Sequence, residues 1–169
     1  MAKPLNVFLV GPMGAGKSAV GRQLARLLHF DYVDSDEEIE NRTGVDIPFI
    51  FEKEGEEGFR KREAKVIDEL TQREGVVLAT GGGAVIDPQS RNHLGARGCV
   101  VYLYTSVAQQ LERTQRGRSR PLLENDDPGA VLTALMEVRD PLYREIADVV
   151  VETDGRRVNT VAREIHDAL

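Results

Sequence analysis

The string "GPMGAGKS", Gly11 to Ser18, fits G-x-x-x-x-G-K-[ST] in full and follows an apolar run directly. Glycines at 11, 14 and 16 let backbone N–H groups turn inward around phosphate oxygens. Lys17 has the reach for β- and γ-phosphates, and Ser18 offers a hydroxyl to Mg²⁺. A helix starting here adds its positive end. The chemistry this loop serves is the binding of a nucleoside triphosphate. A GTP-binding switch would add an N-K-x-D string late in the chain. This sequence has none, which turns the reading toward a kinase.

Other residues able to do chemistry follow later apolar runs. In "VDSDEEIE", Asp34 and Asp36 stand two apart. One carboxylate near the loop can hold a water on Mg²⁺ while the other orients or deprotonates an acceptor hydroxyl. The same residues also read as a helix start, with Ser35 and Glu38 as a capping box and the aspartates favouring the positive end. In "EGEEGFRKRE", Arg60 follows an apolar helical position, and a solvated surface arginine is its ordinary reading. "LATGGGAV" puts three glycines at the end of an apolar run, where backbone can approach a ligand closely; a tight turn is the alternative. The first loop then holds the phosphate donor and the second, around Gly82, floors the acceptor pocket. Finally, "LERTQRGRSRPLL" sets Arg113, Arg116, Arg118 and Arg120 against one Glu112. A closing lid of this kind can stabilise charge on a migrating phosphoryl group and exclude water. A solvated loop that touches nucleic acid is its rival.

Five short apolar runs, at 5–10, 30–34, 76–80, 99–104 and 148–153, alternate with helical patterns, among them the stripes Val20, Leu24, Leu27, Leu28 and Phe59, Val66, Ile67, Leu70. Such alternation predicts an α/β fold, a five-stranded parallel sheet between two layers of helices, with ligands at the carboxyl ends of the strands. The 169 residues suit a single domain. The segment 115–129 reads as a mobile lid. Twenty-eight acidic against twenty-two basic residues give a net charge of −6, which argues against nucleic acid and anionic membrane as partners. No run approaches a membrane span, so a cytoplasmic protein is expected, and nothing reads as a coiled coil, so a monomer is expected. Cys99 is alone, and His29, His93 and His166 lack metal-ligand spacing.

"GPMGAGKS", "DSDEEIE", "EGEEGFR", "VVLATGGG", "RPLL" and "RDPLYREIAD", in that order, give a chain that resembles the shikimate kinase family along essentially its whole length. The resemblance implies a nucleoside-monophosphate-kinase-like fold and transfer of the γ-phosphoryl of ATP to the 3-hydroxyl of shikimate. It further implies that Gly14 to Ala19 hold ATP, with Ser18 on Mg²⁺ and Asp34 near the metal. Asp36, Arg60, Gly82 and Arg139 would hold shikimate, Asp36 and Lys17 would act in catalysis, Arg120 would be the lid arginine, and Arg156 would lie near the adenine. Members often have Thr where this chain has Ala19, so altered ATP affinity is expected. "VRDPLYRE" otherwise reads as a helix interrupted at Pro141. The rival readings are a kinase of the same architecture with another acceptor, such as gluconate or a nucleoside monophosphate, and a nucleotide-binding module without turnover.

Overall fold

Asn6–Val10 is apolar after its first residue and buried throughout, as a strand covered on both faces must be. It is β1, the middle strand of a sheet ordered β2-β3-β1-β4-β5 with every pairing parallel. The computed structural model describes residues 6–115 and 127–169. The other strands are β2 (Asp31–Asp34), β3 (Val76–Ala79), β4 (Cys99–Tyr104) and β5 (Val149–Glu152). The helices are α1 (Lys17–Leu28), α2 (Ser35–Thr43), α3 (Ile47–Leu70), α4 (Pro88–Arg97), α5 (Val107–Gln115), α6 (Pro128–Ile146) and α7 (Val158–Ala168). No helix among the described residues is long and apolar enough to cross a membrane.

The two-residue alternation of β1 sorts the core into two layers. Val7 and Leu9 join Val20 and Leu24 of α1 and Val161 and Ile165 of α7, whereas Phe8 and Val10 join Ile67 of α3, Leu94 of α4 and Tyr143 of α6. From β1 the chain crosses to α1 on one face; from β3 it crosses to α4 on the other. Neighbouring strands whose connections part in this way leave a crevice outside their carboxyl ends. The loops at those two ends are Gly11–Gly16 and Gly81–Gly83.

One expectation about a helix needs correction. α6 is not interrupted at Pro141 but runs on to Ile146. Proline at that position removes the hydrogen bond to the Glu137 carbonyl. The inner face of Leu132, Arg139 and Tyr143 is buried on both sides of it, and that packing holds the helix together. α3 contains a break at Gly55 (φ 72°, ψ 178°), a conformation open in practice only to glycine. Glu54 and Arg62 pair across the break at 2.6 and 2.8 Å.

At the opposite edge of the sheet from the crevice, Asn6 is buried and fixes the register. Its amide donates to the carbonyls of Arg73 (2.6 Å) and Arg97 (3.3 Å), and its side-chain oxygen accepts from the Val76 N–H (3.1 Å). Asn6→Ala strands these groups, and buried groups left unpaired cost about 1–3 kcal/mol each. The expected result is a loss of about 2–4 kcal/mol in urea unfolding with an unchanged slope. The KM for nucleotide should stay at the wild-type value, because the site lies at the other end of the strands.

Candidate active site

Gly14 (φ 82°) and Gly16 (φ 86°) give the first loop its turns, and α1 begins after Gly16 with no side-chain cap. By contrast α2, α3, α4 and α6 are each closed by an aspartate: Asp34, Asp46, Asp87 and Asp127. The leading amides of α1 thus meet whatever enters the loop with their positive end. Lys17 lies across the loop, its Nζ 2.6 Å from the Gly11 carbonyl and 2.8 Å from that of Pro12. Ala15 is buried, and its N–H closes a turn on the Pro12 carbonyl at 3.2 Å. Ser18 and Ala19 are exposed in the first turn of α1. From α5, Arg113 donates to the Gly14 carbonyl at 3.0 Å, so it is a helical residue braced on the loop.

Asp34 caps α2 and also faces the first loop. Its Oδ1 accepts from the N–H groups of Asp36 (2.8 Å) and Glu37 (3.1 Å), capping α2. Its Oδ2 accepts from Ser18 Oγ (3.2 Å) and from the Tyr32 hydroxyl (3.3 Å). The capping box of Ser35 and Glu38 is therefore corrected. Ser35 is the first residue of the helix, and its buried hydroxyl accepts from the Gly81 N–H at 3.2 Å, tying α2 to the second loop.

The three glycines after β3 each lie under a different charged side chain. A Cβ on Gly81 would stand 2.7 Å from Asp36 Oδ1 and 2.9 Å from Glu63 Oε2. One on Gly82 would stand 3.6 Å from Arg139 Nη1 and 3.4 Å from the Met13 N–H nitrogen of the first loop, and one on Gly83 would meet the Arg60 guanidinium at 2.6 Å. At Gly81 and Gly83 a side chain would displace these charged groups, whereas at Gly82 a Cβ would stand at ordinary contact distance. Arg60 pairs with Glu63 (2.9 Å) and Glu56 (3.3 Å). Glu63 and Arg139 are buried, and Arg60 is largely so. Even so, Arg60 Nε, Arg139 Nε and Glu63 Oε2 find no partner among the described residues. Buried polar atoms are nearly always paired, and three orphans around one turn mark a surface built to meet a polar ligand.

A model of the family described as "Shikimate kinase" matches residues 13–169. The chain belongs to the shikimate kinase family. A shikimate kinase of Halorhodospira halophila is 65% identical over 166 residues, covering 98% of this chain and 94% of that one. One from Shewanella oneidensis is 59% identical over 169 residues, covering 100% and 99%. Among solved structures, a shikimate kinase from Acinetobacter baumannii in complex with shikimate superposes with a TM-score of 0.96 at 53% identity, covering 99% of this chain and 93% of that one.

Of the residues that sequence reasoning assigned to the acceptor, the fold brings Asp36, Arg60, Gly82 and Arg139 together beside the first loop. Arg60, a surface residue on its ordinary reading, is largely covered. Arg156 is on the loop after β5, where it donates to the Glu152 carbonyl at 3.0 Å and pairs with Glu164 of α7. Arg116, Arg118 and Arg120 lie outside the described residues, as does most of the segment read as a lid. Sequence reasoning missed Ser35, Glu63 and Tyr143. Glu63 had a signal: it stands three residues after Arg60 on one helical face with Phe59 and Val66, a charge on an apolar stripe.

Burial holds the Glu63 carboxyl above its ordinary 4.5, with Arg60 and then Arg139 pulling the other way. The pKa is raised in the folded state, so the protonated form favours folding. That contribution is full below the ordinary carboxylate range and is lost as pH rises through the raised value. Glu63→Gln should therefore melt above the wild type at pH 8 and converge with it as pH falls to about 4.5. A variant that melts lower at pH 8 would mean that pairing with the arginines outweighs the desolvation of the carboxylate.

Proposed function

We propose that the chain transfers the γ-phosphoryl group of ATP to the 3-hydroxyl of shikimate, with Mg²⁺ accompanying the nucleotide. The observation that carries this is the set of buried arginines and carboxylates over the three-glycine turn, with orphaned polar atoms, opening beside a phosphate-binding loop. Shikimate is a ring bearing one carboxylate and three hydroxyls. Arg60 and Arg139 suit its carboxylate, because guanidinium forks grip carboxylates through paired hydrogen bonds. Asp36 suits the reacting hydroxyl, which it would orient and whose proton it would accept as the bond to phosphorus forms.

On the donor side, Gly14, Ala15, Gly16, Lys17, Ser18 and Ala19 would enclose the phosphates. Lys17 would exchange the Gly11 and Pro12 carbonyls for phosphate oxygens, a move within the reach of its side chain. Ser18 and Asp34 are hard oxygen donors 3.2 Å apart at the mouth of this loop, a chemistry that fits Mg²⁺. Bound there, the ion would neutralise charge on the phosphates. Arg120, within a lid of about 113–127, would stabilise the migrating group, and Arg156 would lie near the adenine.

On this reading residues 1–169 form a single P-loop kinase domain, with an acceptor-binding segment of about 35–62. It works as a cytoplasmic monomer on small molecules, without nucleic acid or membrane. The net charge of −6 supports the absence of nucleic acid. The exposed large apolar side chains Phe49, Ile86, Val138, Val150 and Val158 are spread over five elements, which supports the monomer.

The test is ADP formation with shikimate and with its methyl ester as sole acceptors. The ester should be a very poor acceptor. Arg139→Lys should weaken shikimate binding by tens- to thousands-fold, as loss of a desolvated charge partner typically costs about 2–5 kcal/mol, while ATP binding barely changes. Equal use of acid and ester would remove the physical basis for shikimate over a neutral polyol. Asp36→Asn should lower kcat by roughly 10²–10⁴-fold, the range for a lost general base, with little change in the KM for ATP. A main effect on ATP binding would contradict the role given to Asp36.

A further inference from the structure

Tyr143 is fully buried on α6, one turn after Arg139. Its hydroxyl donates to the Gly82 carbonyl, and the Arg139 guanidinium lies beside that hydroxyl. Its ring packs on Tyr102 of β4 with centroids 4.8 Å apart, and Tyr102 in turn donates to Asp140 Oδ1 at 2.6 Å. The Gly82 carbonyl and the Gly83 N–H belong to one planar trans peptide, so fixing the carbonyl also aims that N–H the opposite way. The preceding peptide is fixed in the same manner, since the Gly81 carbonyl accepts from the Ala84 N–H at 3.1 Å. The two N–H groups so aimed, of Gly82 and Gly83, have no acceptor among the described residues. A free glycine run would lose this alignment, having the widest backbone freedom of any sequence.

We infer that Tyr143 is a positioning residue for the acceptor: one hydroxyl sets both the peptide plane of the glycine floor and the guanidinium of Arg139. The inference rests on the function proposed above. A phenol suits the task because one oxygen donates to a carbonyl and presents a lone pair to a cation, bridging the two. Burial keeps the hydroxyl protonated and therefore a donor at any ordinary pH. Phenylalanine keeps the ring packing and deletes only the bridge.

The experiment is steady-state kinetics of Tyr143→Phe with ATP and shikimate, beside wild type and a Tyr102→Phe control that removes the neighbouring phenol without touching Gly82. The expected result is a KM for shikimate raised about tenfold, equivalent to about 1.4 kcal/mol, with kcat and the KM for ATP within about twofold of wild type. The control should show no such rise. A purely structural role would lower the melting temperature and leave the two KM values in their wild-type ratio. To cover an unstable variant, the rise in melting temperature produced by each substrate is read on the same samples. Tyr143→Phe should keep the ATP-induced rise and lose most of the shikimate-induced one. In combination with Arg139→Lys the effects should be less than additive, because both changes act on one guanidinium position. An unchanged shikimate KM, equal weakening of both substrates, an equal rise in the control or full additivity with Arg139→Lys overturns the inference. Wild type that turns over ATP with another acceptor but not with shikimate overturns the proposed function instead, and the two failures are told apart by that assay.

Discussion

Everything in this molecule that concerns function depends on two stretches of backbone coming close without side chains between them. The Gly81–Gly83 turn runs under Asp36, Glu63, Arg139 and Arg60, and its middle residue faces the first loop at Met13. A parallel sheet produces such a meeting only where connections from neighbouring strands depart to opposite faces, and β1 and β3 are such a pair. Strand order, layer assignment and glycine placement are therefore one constraint seen at three scales. The order places the loops side by side, the layers keep helices from covering them, and the glycines let charge sit on main chain.

The charge held there sets the electrostatic character of the pocket. Two arginines and two carboxylates gather around one turn, with Glu63 and Arg139 both removed from water. Burial pushes Glu63 up and Arg139 down, each toward its neutral form. A buried ionic cluster of this type is a poor source of stability. Its value is orientation, since each member restricts the rotamers of the next.

The strands and the first loop were readable because they rest on local pattern. The central strands show continuous apolar runs, and the glycine–lysine string specifies its own backbone. The acceptor side was readable only in part. Asp36 stood out by its spacing to Asp34, but only the resemblance raised Arg60 from a surface residue and gave Arg139 a role. Ser35 and Tyr143 escaped because their partners are distant: Ser35 bonds Gly81 and Tyr143 bonds Gly82, contacts between elements that no local period encodes. The capping box at Ser35 failed for a different reason. Asp34 is also a capping residue type, and spacing alone did not choose between neighbours. Pro141 misled because its local cost is real, yet burial on both sides of it decides the outcome.

The break at Gly55 divides α3 into unequal parts. The segment before it is joined across the break by Glu54 and Arg62, whose side chains are 38% and 46% exposed. An ion pair in such contact with solvent is screened by dissolved ions within about 10 Å at 0.1 M. The donor loop rests on main-chain geometry that screening does not reach. Ionic strength therefore acts on the two sides of the crevice unequally: it weakens the ion pair across the break, while the turns of the first loop, set by backbone conformation, keep their shape.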